Sequence, residues 1–493
     1  MTDDNRVVLI GTGPGGAAAA TFLEQAGMEV FVLEAGPEHM DRGLMLRVRG
    51  ATIAKYRREL QQRPHVEFSG DRDTALFEEL APGGLSNHWS CAVPRFSDED
   101  FQDAKRAGFE YEWPVRYADL APWYDRVEPL LHIAGAAEGV PQVPAGKVHD
   151  VWALGEDWRR LAATASSYGR SVLPMPYAYG AESTLTLSGT VFNAFVRLVK
   201  PLLRTGRVSI RYQSRAVRLE WSAQQRRVTA VVYRDTVTGA EGRVPCRAVV
   251  VAAGAVNSAE LLLRSSSVDF PAGLGNSHGV LGRYLHDHPL GKLTCGLGTP
   301  VSVHPASYIT RISMDRSAPL YAVAGMQWGG VPAMARSMIE RKIGRPQSIG
   351  FSLFGTMKPS RDNGVSLEDS SRGDATGLKL HIQYEPEVFR VLEQARAEIM
   401  DMLTKAGMKP ELRVWKIEPA GWSNHYGGTC RMHADPKFGV LDAFGRVHQV
   451  PNVVVADSSA FTTGPEKNPV LTSMTLSARA ADRLAQELKS GDL

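Results

Sequence analysis

The chain has 493 residues, more than one ordinary domain and enough to bury a large core. Its formal net charge is +3, no run of Lys or Arg stands out and no apolar run reaches bilayer length, so neither a nucleic-acid surface nor a membrane span is expected. Four scattered cysteines (Cys91, Cys246, Cys295, Cys430) have neither CxxC nor zinc-ligand spacing, which suits a reducing compartment.

Val7 to Ile10 is a short apolar run, the pattern of a buried parallel strand. It starts about six residues from Met1, leaving no room for a secretory signal, so a cytoplasmic location is the expectation. Gly11-Thr12-Gly13-Pro14-Gly15-Gly16 follows, then a helix-forming run from Ala17 to Gln25 and a second strand, Val30 to Leu33, closed by Glu34. This strand–turn–helix–strand unit is a dinucleotide-binding pattern. Gly11 permits the turn, Gly13 the approach of a pyrophosphate, and Gly16 the packing of helix on strand. Glu34 stands where a carboxylate accepts from a ribose. The motif leaves NAD and FAD both open.

Arg42 to Arg63 reads as a solvated helix, and Gly83 to Phe96 as a closely packed loop dense in glycine, small polar and aromatic residues. Asp119 is read as the cap of a helix. Residues 134–185 are rich in Gly, Pro and Ala and read as an irregular excursion, followed by helical spacing from Phe192 to Leu203. Val208 to Tyr212, Val217 to Trp221 and Val228 to Arg234 alternate as strands. Arg247 to Ala255 is a second buried strand and small-residue turn, leading to a helix from Ser258 to Arg264. Tyr308 to Ile312, Ala322 to Trp328, Ser348 to Thr356 and Lys379 to Tyr384 predict an antiparallel sheet. Phe389, Leu392, Ile399 and Leu403 mark one helix face. Val453 to Asp457 is the last buried strand, and Leu471 to Leu488 the closing helix. The order predicts an α/β fold: a discontinuous Rossmann-like cofactor domain with an α+β substrate domain, built on an antiparallel sheet, inserted in sequence.

Further stretches carry a family resemblance: Ala252 to Ser258, Asn424-His425-Tyr426-Gly427-Gly428-Thr429-Cys430-Arg431-Met432, Gly439 to Asp442, Asp457-Ser458-Ser459 and Asn468-Pro469-Val470-Leu471-Thr472. With the opening turn, these make the whole chain resemble the glucose–methanol–choline oxidoreductases. The resemblance implies FAD as cofactor and oxidation of an alcohol by hydride transfer to the flavin N5. Ser86-Asn87-His88-Trp89-Ser90-Cys91 resembles the flavin-attachment loop of pyranose oxidases, and bacterial C-glycoside oxidases are similar and nearer this length. The expected substrate is therefore a small sugar or glycoside oxidised at C2 or C3. Either O₂ or another acceptor would take the electrons, with no nucleic-acid or membrane partner. A primary alcohol oxidase of a biosynthetic pathway and a lyase on the same scaffold are the alternatives.

The resemblance also implies a division into 1–133, 205–293 and 423–493 for FAD, 134–204 as the excursion and 294–422 for substrate. It places Gly11, Gly13, Gly16, Glu34, Gly84, Ser86, His88, Ser90, Val217, Ala253, Asp457 and Pro469 at the cofactor. His88 would carry the flavin covalently; a histidine packed on the ring without a bond is the alternative. His425 falls at the position of the base that takes the hydroxyl proton, a task suited to an imidazole. Asn468 would hold the substrate hydroxyl. Gln383, Tyr384 and Trp422 are candidate pocket residues, since an amide serves as donor and acceptor for sugar hydroxyls. His286-Asp287-His288 lacks an evident third ligand, so no metal is expected; it and His433 read as structural.

Overall fold

The computed structural model describes residues 6–38, 66–87, 89–106, 108, 112–178, 192–299, 301, 307–311, 323–327, 348–368 and 377–493. The Arg42–Arg63 helix reading and His88 lie outside them.

Val7–Ile10 is the centre of a five-stranded parallel sheet. Ala248–Val251 and Val30–Leu33 flank it, and Val453–Val455 and Val208–Arg211 form the edges. All four residues of Val7–Ile10 and of Ala248–Val251 are buried, as expected of strands covered on both faces. Helices Pro14–Gln25 and Val470–Ser490 pack against each other beside this sheet, so the first and last parts of the chain build one core. A second antiparallel unit follows the edge strand: Ser214–Ser222, Arg227–Asp235 and Glu241–Pro245. Only Val244 of the third strand is buried, which is why its alternation is weak.

The antiparallel sheet has six strands, in the order Pro410–Ile417, Leu290–Leu297, Ser348–Gly355, Val323–Gln327, Ser307–Arg311 and Arg170–Pro174. Its two faces follow the period of two. Leu293, Cys295, Leu297, Phe351 and Leu353 pack on helices Glu156–Ala165 and Pro386–Lys405. Leu290, Lys292 and Phe354, on the other face, line a cavity.

Several local expectations change. The stretch read as irregular holds helix Glu156–Ala165 and strand Arg170–Pro174, which completes the substrate sheet by pairing with Ser307–Arg311. The next strand of that sheet along the chain begins at Leu290. Phe195–Val199 forms a wide π-type turn inside the expected helix. Helix Tyr117–Val127 begins before Asp119, whose carboxylate instead accepts from the Arg116 N–H at 2.8 Å, the third-position half of a capping box. On Pro386–Lys405, Phe389 is exposed while Leu392, Ile399 and Leu403 are buried with Val388 and Met402.

Among the described residues no helix is long and apolar enough to cross a membrane. Nor is any group of three or more His, Cys, Asp or Glu placed to hold a metal ion.

Candidate active site

The glycines of the first turn serve three different ends. Gly11 has φ +92°, and a Cβ there would lie 2.5 Å from the Ala252 carbonyl of the neighbouring strand. A Cβ on Gly16 would lie 2.3 Å from the Gly11 carbonyl, so Gly16 closes the turn and does not line the cavity, unlike the expected cofactor contact. Gly13 has nothing within 4 Å of an added Cβ and faces the cavity, a cradle bounded by the start of helix Pro14–Gln25. Gly15, not singled out from the sequence, is pressed hardest: its Cβ would sit 2.0 Å from the Ala456 carbonyl.

Glu34 is 5% exposed at the cavity wall. It accepts from Thr12 Oγ1 at 2.6 Å and from the Gly36 N–H at 2.9 Å. Burial raises its pKa above the usual range despite these bonds. Thr12 Oγ1 also accepts from the Gly83 N–H at 3.0 Å, tying the loop that starts at Gly83 to the glycine turn.

The cavity encloses about 1190 Å³. That exceeds the roughly 300–1,000 Å³ of an ordinary small-molecule site and leaves room for a dinucleotide and a substrate together. Gly84, Ser86, Ser90, Val217, Ala253 and Pro469 line it, as does Asp457. Ser86 is also structural: its hydroxyl donates to the Gly83 carbonyl at 2.6 Å and accepts from the Ala194 N–H at 3.0 Å. Asp457 caps two segments, accepting from the N–H groups of Ser459 and Gly254, each at 2.9 Å. Burial raises its pKa. The open cradle at Gly13 and the carboxylate at Glu34 fit the phosphate and ribose parts of FAD.

At the far end of the cavity His425 and Asn468 meet, with Asn468 Nδ2 3.3 Å from His425 Nε2. Asn468 Oδ1 is buried and has no partner among the described residues, an atom poised for a ligand hydroxyl. His425 Nδ1 lies 2.8 Å from His288 Nδ1, and the His425 N–H donates to Asp287 Oδ1 at 2.8 Å. Desolvation, then the Lys292 charge, lowers the His425 pKa to about 3. His286 falls to about 4 and His288 well below its usual value, both chiefly by burial. All three imidazoles are neutral bases in this setting. Burial pushes Asp287 up to about 6, against hydrogen bonds from Ser423, His425 and His288. His288, in the His286–His288 segment read as structural, thus contacts the His425 ring.

Phe354 packs on His425 with ring centroids 5.1 Å apart, and Leu290, Lys292 and Trp422 complete this end. Lys292 Nζ donates to Ser352 Oγ at 2.7 Å. Neither Lys292 nor Phe354 was legible beforehand, because alternation marks two faces without saying which one meets the site. Gln383 and Tyr384 do not line the cavity. Gln383 is exposed, and its backbone is paired with the Asn363 amide at 2.9 and 3.1 Å. Tyr384 is 4% exposed and packed beneath the site, its hydroxyl donating to the His288 carbonyl at 3.4 Å.

Comparison with known proteins identifies the family. Residues 188–290 and 359–477 match the two GMC oxidoreductase family models. The chain is 26% identical to 2-methyl-1,2-propanediol dehydrogenase of Mycolicibacterium austroafricanum, over 98% of this chain and 96% of the relative. It is 28% identical to paromamine 6'-oxidase of Streptomyces fradiae, over 99% and 93%. Identity to C-glycoside 3-oxidase of Microbacterium trichothecenolyticum is 24%, over 98% and 96%. Among solved structures, pyridoxine 4-oxidase from Mesorbium loti superposes with a TM-score of 0.68 at 19% identity, over 97% of this chain and 99% of that one, and shows the shared fold. The chain belongs to the GMC oxidoreductases, FAD-binding enzymes that oxidise alcohols.

Proposed function

We propose that this enzyme oxidises a secondary ring hydroxyl, at C2 or C3, of a sugar or glycoside to a ketone. The observation that carries this reading is the His425–Asn468 pair at the end of the cavity, with a buried amide oxygen awaiting a partner. When bound, FAD supplies the acceptor for the hydride that leaves the carbinol carbon. The proposed cofactor contacts are Gly11, Gly13, Glu34, Gly84, Ser86, Ser90, Val217, Ala253, Asp457 and Pro469, with His88 as the point of covalent attachment. His425 takes the hydroxyl proton at Nε2, which neutral imidazole allows. Asn468 orients the hydroxyl and stabilises the developing negative charge. Phe354 and Trp422 offer faces for the apolar side of a sugar ring, and Lys292 a donor for its oxygens. O₂ or another acceptor then takes the electrons.

The substrate class rests on similarity to C-glycoside 3-oxidase and on the attachment-loop sequence. Full-length similarity to paromamine 6'-oxidase and 2-methyl-1,2-propanediol dehydrogenase favours a second reading, oxidation of a primary alcohol. One experiment separates them. The flavin is screened anaerobically for bleaching with glucose, aryl glucosides, C-glucosides and simple alcohols, and the product is then identified. A ketone at C2 or C3 supports the first reading. An aldehyde supports the second. Turnover without bleaching points to lyase chemistry and defeats both.

A further inference from the structure

The His425–His288 contact carries an order of protons that neither residue has alone. The Asn468 amide nitrogen lies 3.3 Å from His425 Nε2, and an amide N–H only donates, so Nε2 accepts and carries the lone pair. Neutral His425 therefore has its proton on Nδ1. His288 Nδ1 lies 2.8 Å from that nitrogen, and two ring nitrogens this close need one proton between them. His288 Nδ1 therefore accepts from His425, and neutral His288 has its own proton on Nε2.

From this geometry we infer that His288 is a positioning residue: it sets the tautomer of His425 so that the basic nitrogen faces the substrate hydroxyl. The inference rests on the reading of His425 as the base. A carboxylate performs this service in serine hydrolases. Here a neutral imidazole does it. When His425 accepts the hydroxyl proton on Nε2, it becomes an imidazolium whose Nδ1–H still donates to His288. The proton has moved from oxygen to nitrogen, and the His425–His288 bond is kept. The frame is stiff: the His288 N–H donates to Ser423 Oγ at 3.1 Å, its ring lies edge-on to His425 at 4.7 Å between centroids, and Tyr384 supports its carbonyl.

The test reads the tautomer directly. Oxidised holoenzyme labelled with 15N-histidine is compared with its His425→Asn variant to assign the His425 ring signals. A protonated Nδ1 and an unprotonated Nε2 are expected in the wild type; the opposite tautomer overturns the inference. His288→Phe, an apolar ring of similar size, should give a mixture of His425 tautomers and slow flavin reduction by about ten- to a hundred-fold. His288→Gln should recover most of both, because its amide oxygen can accept from His425. A His288→Phe enzyme that keeps the Nδ1–H tautomer, or reduces its flavin at the wild-type rate, defeats the proposal. His425→Ala separates the failures: normal reduction there removes the base reading itself. Impaired reduction there with normal His288→Phe removes only the role of His288.

Discussion

Lys467 and Asp100 lie 367 residues apart and form an ion pair at 2.8 Å in which neither side chain is exposed. Glu466 joins the ammonium at 3.4 Å. The pair ties the segment ending in Asn468 to helix Asp98–Arg106, where Asp100 also accepts from the Ser97 N–H at 2.6 Å. Lys467→Ala leaves buried carboxylates uncompensated and should cost about 3–5 kcal/mol. Urea unfolding would read this. Lys467→Met combined with Asp100→Asn should recover part of the loss, and a deficit below about 1 kcal/mol in Lys467→Ala would show that the pair does not hold the fold.

The glycine turn predicts two substitutions with opposite signatures. Gly13→Ala adds a methyl into open cavity space, so the apoprotein should keep its stability while FAD affinity falls by about tenfold or more. Gly11→Ala meets the Ala252 carbonyl and a positive φ, and should destabilise the apoprotein itself by about 1–3 kcal/mol. Flavin titration and thermal unfolding of the apoproteins separate the two. Equal stability losses would refute the assignment of Gly13 to the cofactor.

His425→Ala should slow anaerobic flavin reduction by about 10²–10⁴-fold, the range for loss of a general base. Asn468→Ala should cost less, since it orients the hydroxyl and takes no proton. Stopped-flow reduction with a saturating substrate checks both, and a larger loss in Asn468→Ala would reverse the two roles.

Covalent attachment through His88 predicts that acid-precipitated enzyme stays yellow and that a peptide containing His88 carries the FAD mass. Free FAD in the supernatant of the wild type would rule the bond out. His88→Ala should still bind FAD without the bond, because the Gly13 cradle and Glu34 remain.

His286 is 1% exposed, and its Nδ1 donates to the Tyr284 carbonyl at 3.2 Å. Burial holds its pKa at about 4 in the folded protein, against roughly 6.5 unfolded. The unfolded chain therefore binds the extra proton first. Its contribution to stability is complete above about pH 6.5 and is lost as the pH falls toward about 4, roughly 3 kcal/mol in all. His286→Asn keeps a donor for Tyr284 and removes the titration. Its stability should fall less steeply with acid, by about 1.4 kcal/mol per pH unit in that window. Urea midpoints at stepped pH give the slope, and an unchanged slope would disprove the assignment.

What the sequence determined by itself was local. Val7–Ile10 and Ala248–Val251 are apolar throughout because both faces of each are covered, and that pattern needs no knowledge of their neighbours. Gly11 was legible because a positive φ is a property of one residue. His425 and Asn468 were singled out through motifs that resemble a family's, and the structure brings them together at the cavity. The tertiary structure decided which groups meet. His288 reaches His425 across 137 residues, and strand Arg170–Pro174 joins a sheet whose nearest strand begins at Ser307. Gln383 was misplaced for the same reason: the end of strand Leu378–Ile382 turns its side chain to solvent and leaves Phe354 and Lys292, from other strands, at the cavity. Period and backbone angle are written along the chain, whereas the facing of a sheet and the partner of a buried imidazole follow from packing between segments far apart in sequence.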